Sequence, residues 1–172
     1  MKFLSENLLD LRSLYINQLR VLVSMEKQIV ESLPTMIERA TDEELKNALE
    51  SHLLETEQQV ARVEEIVRYS VGTGDSTSPI KCKVMLALSA EAEDMILDSK
   101  DESVRDAAII AAAQRVEHYE IAAYGAVRTF AQILGEAGAA ELLDKTIKEE
   151  GNADHLLTEI ANRVNPYAKK AA

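Results

Sequence analysis

Apolar residues recur every three or four positions through most of this chain, a period that admits amphipathic helices and little else. From Phe3 to Leu33 the series Leu4, Leu8, Leu11, Tyr15, Leu19, Leu22, Val23, Ile29, Val30 and Leu33 marks one long helix. Pro34 is expected to kink or end it. Thr41-Asp42-Glu43-Glu44 has the form of a capping box with Thr41 as N-cap, and it opens a second run through Tyr69 that Gly72 and Gly74 close. Asp75 to Pro79 reads as a loop. A shorter helix over 81–97, with Val84, Leu88, Ala92, Met95 and Ile96 on one side, is expected to pack outside the main bundle. Asp101 is the expected N-cap of a run over 102–134 that ends at Gly135, where a left-handed residue is cheapest. Gly138 then opens a last helix to Val164, stopped by Asn165-Pro166, with 165–172 left as a short flexible tail.

Four long helices and one short one predict an all-α fold, a helical bundle in a single domain over 1–172. Six Gly, three Pro and no Trp agree with that inventory. Thirty acidic residues against 19 basic ones leave a net charge of -11, which repels phosphate backbones and anionic lipid. Neither nucleic acid nor a membrane is an expected partner. No secretory signal pattern and no run of about 18 apolar residues occurs, so the expected location is cytoplasmic. The single cysteine, Cys82, excludes an internal disulfide.

Turning each helix by ~100° per residue shows which polar residues fall on apolar faces. Glu26 sits in the middle of the stripe formed by Leu8, Tyr15, Leu19, Leu22, Val30 and Leu33. Glu150 and Asp154 share a face with Leu143, Ile147 and Leu157, and Ile110, Ile121 and Tyr124 bracket Glu117 and Glu120. On the second helix His52 faces inward, with Glu55 and Gln59 at the edge of the apolar face. An unpaired buried carboxylate costs several kcal/mol, and only Arg62 and Arg128 are placed as inward bases. A cation answers that repulsion. Oxygen-rich sites with an imidazole suit iron or manganese, and four-helix bundles build two-metal carboxylate sites from inward Glu and His. The candidate ligands are Glu26, His52, Glu55, Glu117, Glu120, Glu150 and Asp154. A buried, hydrogen-bonded acid network is the blander reading of the same residues.

The spacing departs from the familiar Glu-x-x-His: here stand His52-Leu-Leu-Glu55, Glu117-His-Tyr-Glu120 and Glu150-Gly-Asn-Ala-Asp154. His118 falls beside the site and His155 is expected at the surface. Gly151, in a helix interior next to Glu150, suggests a close helix approach or a local bulge. Tyr15 and Tyr124 lie on metal-facing stripes and read as core tyrosines with satisfied hydroxyls, a hydrogen bond to a bridging carboxylate or an electron-relay role being the alternative. Cys82 reads as a small packed thiol, its alternative a thiol activated by the two neighbouring lysines.

The stretches Glu26-Lys27-Gln28, His52-Leu53-Leu54-Glu55-Thr56-Glu57, Val116 to Gly125 and Glu149-Glu150 to Asp154 resemble the YciE/YciF-like stress proteins, a ferritin-like group. The resemblance runs from about Phe3 to Ala161, and its most specific part is Glu117-His-Tyr-Glu-Ile-Ala-Ala-Tyr-Gly125. It implies a ferritin-like four-helix bundle with two additional helical elements, a homodimer and a di-iron-type site. That site would hold two iron ions per chain, with manganese or zinc as alternatives. The function expected from residues and resemblance together is a stress-response protein whose metals react with oxygen or peroxide, an oxidase or peroxidase type of activity. The alternative is a non-catalytic helical homodimer, a stress-induced scaffold with a structural metal or acid network. Mini-ferritin storage with DNA protection ranks last, because Lys169-Lys170 is too little positive charge against -11.

Overall fold

The computed structural model describes residues 8–72 and 76–169. Among them are five helices and no strand: α1 (Leu11–Arg39), α2 (Glu43–Ser70), α3 (Lys83–Asp98), α4 (Glu102–Ile133) and α5 (Ala137–Ala168). Three-residue turns join α1 to α2 and α4 to α5, so each pair is an antiparallel hairpin. The hairpins pack with α1 on α4 and α2 on α5. Cross-links fix their sense: Arg12 at the start of α1 pairs with Glu136 ahead of α5, while Arg105 at the start of α4 donates to the Arg39 carbonyl at the end of α1. Helices α2 and α4 therefore run the same way, and the chain must travel back along the bundle between them. Helix α3 makes that return, lying outside on α1 and α4. One long crossover of this kind is the ferritin-like connectivity. A single extra helix is present among the described residues, where the resemblance implied two additional elements.

The core is built from the faces that the period selects. Leu19, Leu22 and Ile29 of α1, Leu45, Leu49 and Ile66 of α2, Ile109 and Ile110 of α4, and Leu143 and Ile160 of α5 are all buried. Each such side chain contributes about 1.5–3 kcal/mol relative to exposure, enough together to hold polar groups where water would not put them.

Several element ends differ from the sequence reading. Helix α1 begins at Leu11 because Asp10 accepts from the Ser13 amide at 2.7 Å while the Ser13 hydroxyl takes the Asp10 amide at 3.1 Å. Leu8 thus precedes the helix and is 47% exposed, outside the stripe; residues 3–7 lie outside the described residues. Pro34 sits inside α1, which continues to Arg39 and buries Met36. The cap of α2 is Asp42, accepting from Leu45 at 3.0 Å. Thr41 has another partner: its amide and hydroxyl donate to buried Asp106 of α4 at 2.8 and 2.6 Å. On α3 Val84 is exposed and Met85 takes the buried place. Helix α4 closes as expected, with Gly135 at φ 77. Helix α5 runs through Pro166 to Ala168, so 165–168 are helical and not a tail; 170–172, like Gly74 and Asp75, lie outside the described residues.

Candidate metal centre

Antiparallel packing of α2 on α5 brings the middle turns of both helices level with each other, and α4 presents Glu117 and Glu120 to the same height one turn apart. Glu26, Glu120 and Glu150 are 0% exposed, Glu117 2% and His52 7%. His52, Glu117, Glu120 and Glu150 each offer one ligand atom, and these atoms all lie within 4.8 Å of one another. His52 Nε2 is 3.4 Å from Glu117 Oε1 and 4.0 Å from Glu150 Oε2. Glu26 adjoins from α1: it lies against Glu120 and accepts a hydrogen bond from the Tyr124 hydroxyl. Each bundle helix thus supplies a polar group to one buried volume.

Burial pushes the Glu26 carboxyl up to about 8, against the pull of the Tyr124 hydrogen bond. Burial likewise holds Glu117 and Glu120 well above the usual carboxylate range. Neighbouring acids add to it: Glu150 acts on Glu117, and Glu26 and Glu150 act on Glu120. Tyr124 is raised by burial first and by Glu26 next. Within the cluster Glu26 Oε2, His52 Nδ1 and Nε2, Glu117 Oε2, both oxygens of Glu120 and Glu150 Oε2 have no hydrogen-bond partner. Buried polar atoms are nearly always satisfied, and each orphan costs about 1–3 kcal/mol. Carboxylate oxygens with one imidazole, left without hydrogen-bond partners, are the donor set that iron and manganese take.

The remaining candidates lie at the margin. Glu55 is half-buried, raised by burial and then by the charge of Glu149; it lines a cavity beside His52 but stands outside the four-group cluster. Asp154 is also half-buried and outside the cluster, accepting from Gln114 at 3.1 Å and lying 3.4 Å from His118 Nε2. His118 is 70% exposed and His155 is at the surface, paired with Glu159. Arg62 and Arg128 pair with Glu149 and Asp144. Gly151 is exposed and a Cβ there would meet nothing within 4 Å, so neither a close helix approach nor a bulge accounts for it.

Two supporting residues were not assigned from the sequence. Gln59, placed at the edge of the apolar face, is fully buried; its amide donates to Glu150 and, at 3.2 Å, to Glu149. Arg62 holds that Glu149 at 2.6 Å, and together with Gln59 it keeps the carboxyl below its ordinary range although burial works the other way. The signal for Gln59 was its place two helical turns beyond His52, hence on the same face. Tyr124 stands seven residues beyond Glu117 for the same reason, with Glu26 as the partner of its hydroxyl.

DUF892, a domain of unknown function, matches residues 10–169. Protein YciF of Escherichia coli (strain K12) is 38% identical over 167 residues, covering 96% of this chain and 99% of that protein. The crystal structure of the E. coli stress protein YciF is similar with a TM-score of 0.84 over 92% of this chain and 99% of that one. YcfI from Rhodopseudomonas palustris, provisionally described as a structural protein, is 36% identical with a TM-score of 0.84 over 91% of this chain and 98% of its own. A protein from Xanthomonas campestris pv. campestris, 23% identical with a TM-score of 0.72 over 91% of this chain and 94% of that one, shares the fold. No helix among the described residues is long and apolar enough to cross a membrane. The match over nearly the whole chain and the identity to YciF leave one assignment: the chain belongs to the DUF892 family of YciF-like proteins.

Proposed function

We propose that this chain is a stress-response protein that binds two divalent metal ions, iron foremost, in the buried His/Glu cluster and acts there on oxygen or peroxide. One observation carries the reading: five buried side chains from all four bundle helices converge with unpartnered polar atoms. His52, Glu117, Glu120 and Glu150 would hold the metal, with Glu26 completing the set from α1; Glu55 and Asp154 stand outside the close group. Bound iron would supply the electrons that reduce a small oxidant. The chain's own residues do the rest. Gln59 fixes the Glu150 carboxylate from behind, Tyr124 holds a proton toward Glu26, and the surrounding leucines and isoleucines keep bulk water out.

The test is an anaerobic Fe(II) titration of metal-free protein followed by oxygen or peroxide. Two irons per chain and an oxidant-dependent visible band are expected; no binding would sink the reading. Tight binding with no change on oxidant would instead favour a scaffold with a structural metal, the reading that the provisional description of YcfI supports. The homodimer belongs to the same proposal, with sedimentation expected to give twice the 19.0 kDa chain mass and not a cage.

A further inference from the structure

The cluster is closed on one side and approachable on another. Helix α3 lies over α1 and α4, on the side where Glu26, Glu120 and Tyr124 are sealed. No further described helix covers α2 and α5. Part of that seam is bolted by the bonds from Gln59 and Arg62 to Glu149 and Glu150. Farther along the seam a cavity of about 120 Å³ opens, with Ala48 and Ser51 of α2 and Asn152 and Ala153 of α5 among its lining residues beside leucines of both helices. Ser51 and Asn152 are exposed at its mouth, while His52 and Glu117 are buried at its floor. A cavity of that size has room for several water molecules, and the unpartnered nitrogens of His52 belong to one of its walls. Glu55 lines the same cavity and is less buried than His52 and Glu117.

We propose that the α2–α5 cavity is the port by which a divalent cation reaches the cluster, and that Glu55 is the transit carboxylate that passes it to His52 and Glu117. The inference rests on the metal-binding reading above. A hydrated cation must exchange waters for protein oxygens one at a time, and an acid partway along a narrow entrance lowers the barrier to that exchange without belonging to the final set. Filling the cavity or neutralising Glu55 should therefore change the rate of loading and leave its extent alone.

The experiment follows Co(II) uptake by the metal-free full-length chain in a stopped-flow spectrometer, with equilibrium dialysis giving stoichiometry. Ala153→Leu and Glu55→Gln are each expected to slow uptake about tenfold, a small rise in barrier, at unchanged stoichiometry. Ala90→Leu, on the exposed side of α3, should leave the rate unchanged. The isosteric Glu55→Gln carries the test alone if Ala153→Leu disturbs α5, which circular dichroism reports. Unchanged rates in both variants overturn the port. Loss of a metal equivalent in Glu55→Gln makes it a resident ligand and overturns the transit role. Slowing by Asp154→Asn alone moves the entrance to the α4–α5 side and does the same. Wild-type protein that binds no cobalt at equilibrium fails the metal reading itself, a result distinct from normal binding at an unaltered rate.

Discussion

Glu26 is a carboxyl that four helices have removed from water, and its proton is the main variable left to it. Its ordinary value of 4.5 applies in the unfolded chain, whereas in the metal-free fold burial raises it to about 8. Between those values the folded state holds a proton that the unfolded state has released, so stability falls as pH rises. Urea denaturation of the metal-free protein should give its full contribution below pH 4.5 and lose it on passing through pH 8, with Glu117 and Glu120 acting in the same direction. Glu26→Gln imitates the protonated form and should flatten that dependence; a slope unchanged by the substitution would mean that Glu26 is not its source. Metal competes for the same oxygens, so affinity should rise with pH across this window. Glu150→Gln is expected to lose at least one metal equivalent by elemental analysis. Glu91→Gln, at an exposed pair with Arg115, should lose none.

Helix ends are settled by partners that sequence distance conceals. Asp106 is buried and accepts three bonds, from the Thr41 amide and hydroxyl and, at 2.9 Å, from the Asp42 amide, tying the α1–α2 turn to α4. Asp106→Ala should cost about 2 kcal/mol in urea unfolding, and Thr41→Ala, which leaves two of the bonds in place, about 1 kcal/mol. Gly151→Ala should add about 0.5–1 kcal/mol, because an exposed helical glycine with open space around its Cβ has only its backbone entropy to lose. A destabilised Gly151→Ala would mean that the glycine serves a contact absent from this fold. These positions mark the limit of what the sequence made legible. The period of the apolar residues located five helices, because burying one stripe is a property of each helix alone. Thr41 and Asp42 are equally good local caps, however, and the choice between them is made by Asp106, 65 residues away. The inward acids Glu26, Glu117, Glu120 and Glu150 were readable on the same grounds as the core leucines. Gln59 and Tyr124 were harder to place in the site, because each has its role from a carboxylate on another helix.

At the scale of the whole molecule the cluster joins two hairpins that otherwise meet through apolar packing and a few polar cross-links. Glu26 and His52 come from the α1–α2 hairpin, and Glu117, Glu120 and Glu150 from the α4–α5 hairpin. In the metal-free chain the seam between them carries several buried acids that burial holds well above the usual carboxylate range, and a cation there displaces their protons and bridges the seam. Such a ligand binds the folded state and finds no preformed site in the unfolded one, so free metal at 100 times its dissociation constant stabilises by about 2.7 kcal/mol. For a domain of this length that amounts to a rise in melting temperature on the order of 5–10 °C. Scanning calorimetry of metal-loaded and chelator-treated protein measures it directly. The rise should shrink in Glu150→Gln and persist in Glu91→Gln. Hydrogen exchange should slow most along the facing turns of α2 and α5 near His52 and Glu150, where the bridge forms. α3 carries none of the clustered groups, so its amides should gain least. Equal protection gained in all five helices would point to general tightening and not to a bridge between hairpins.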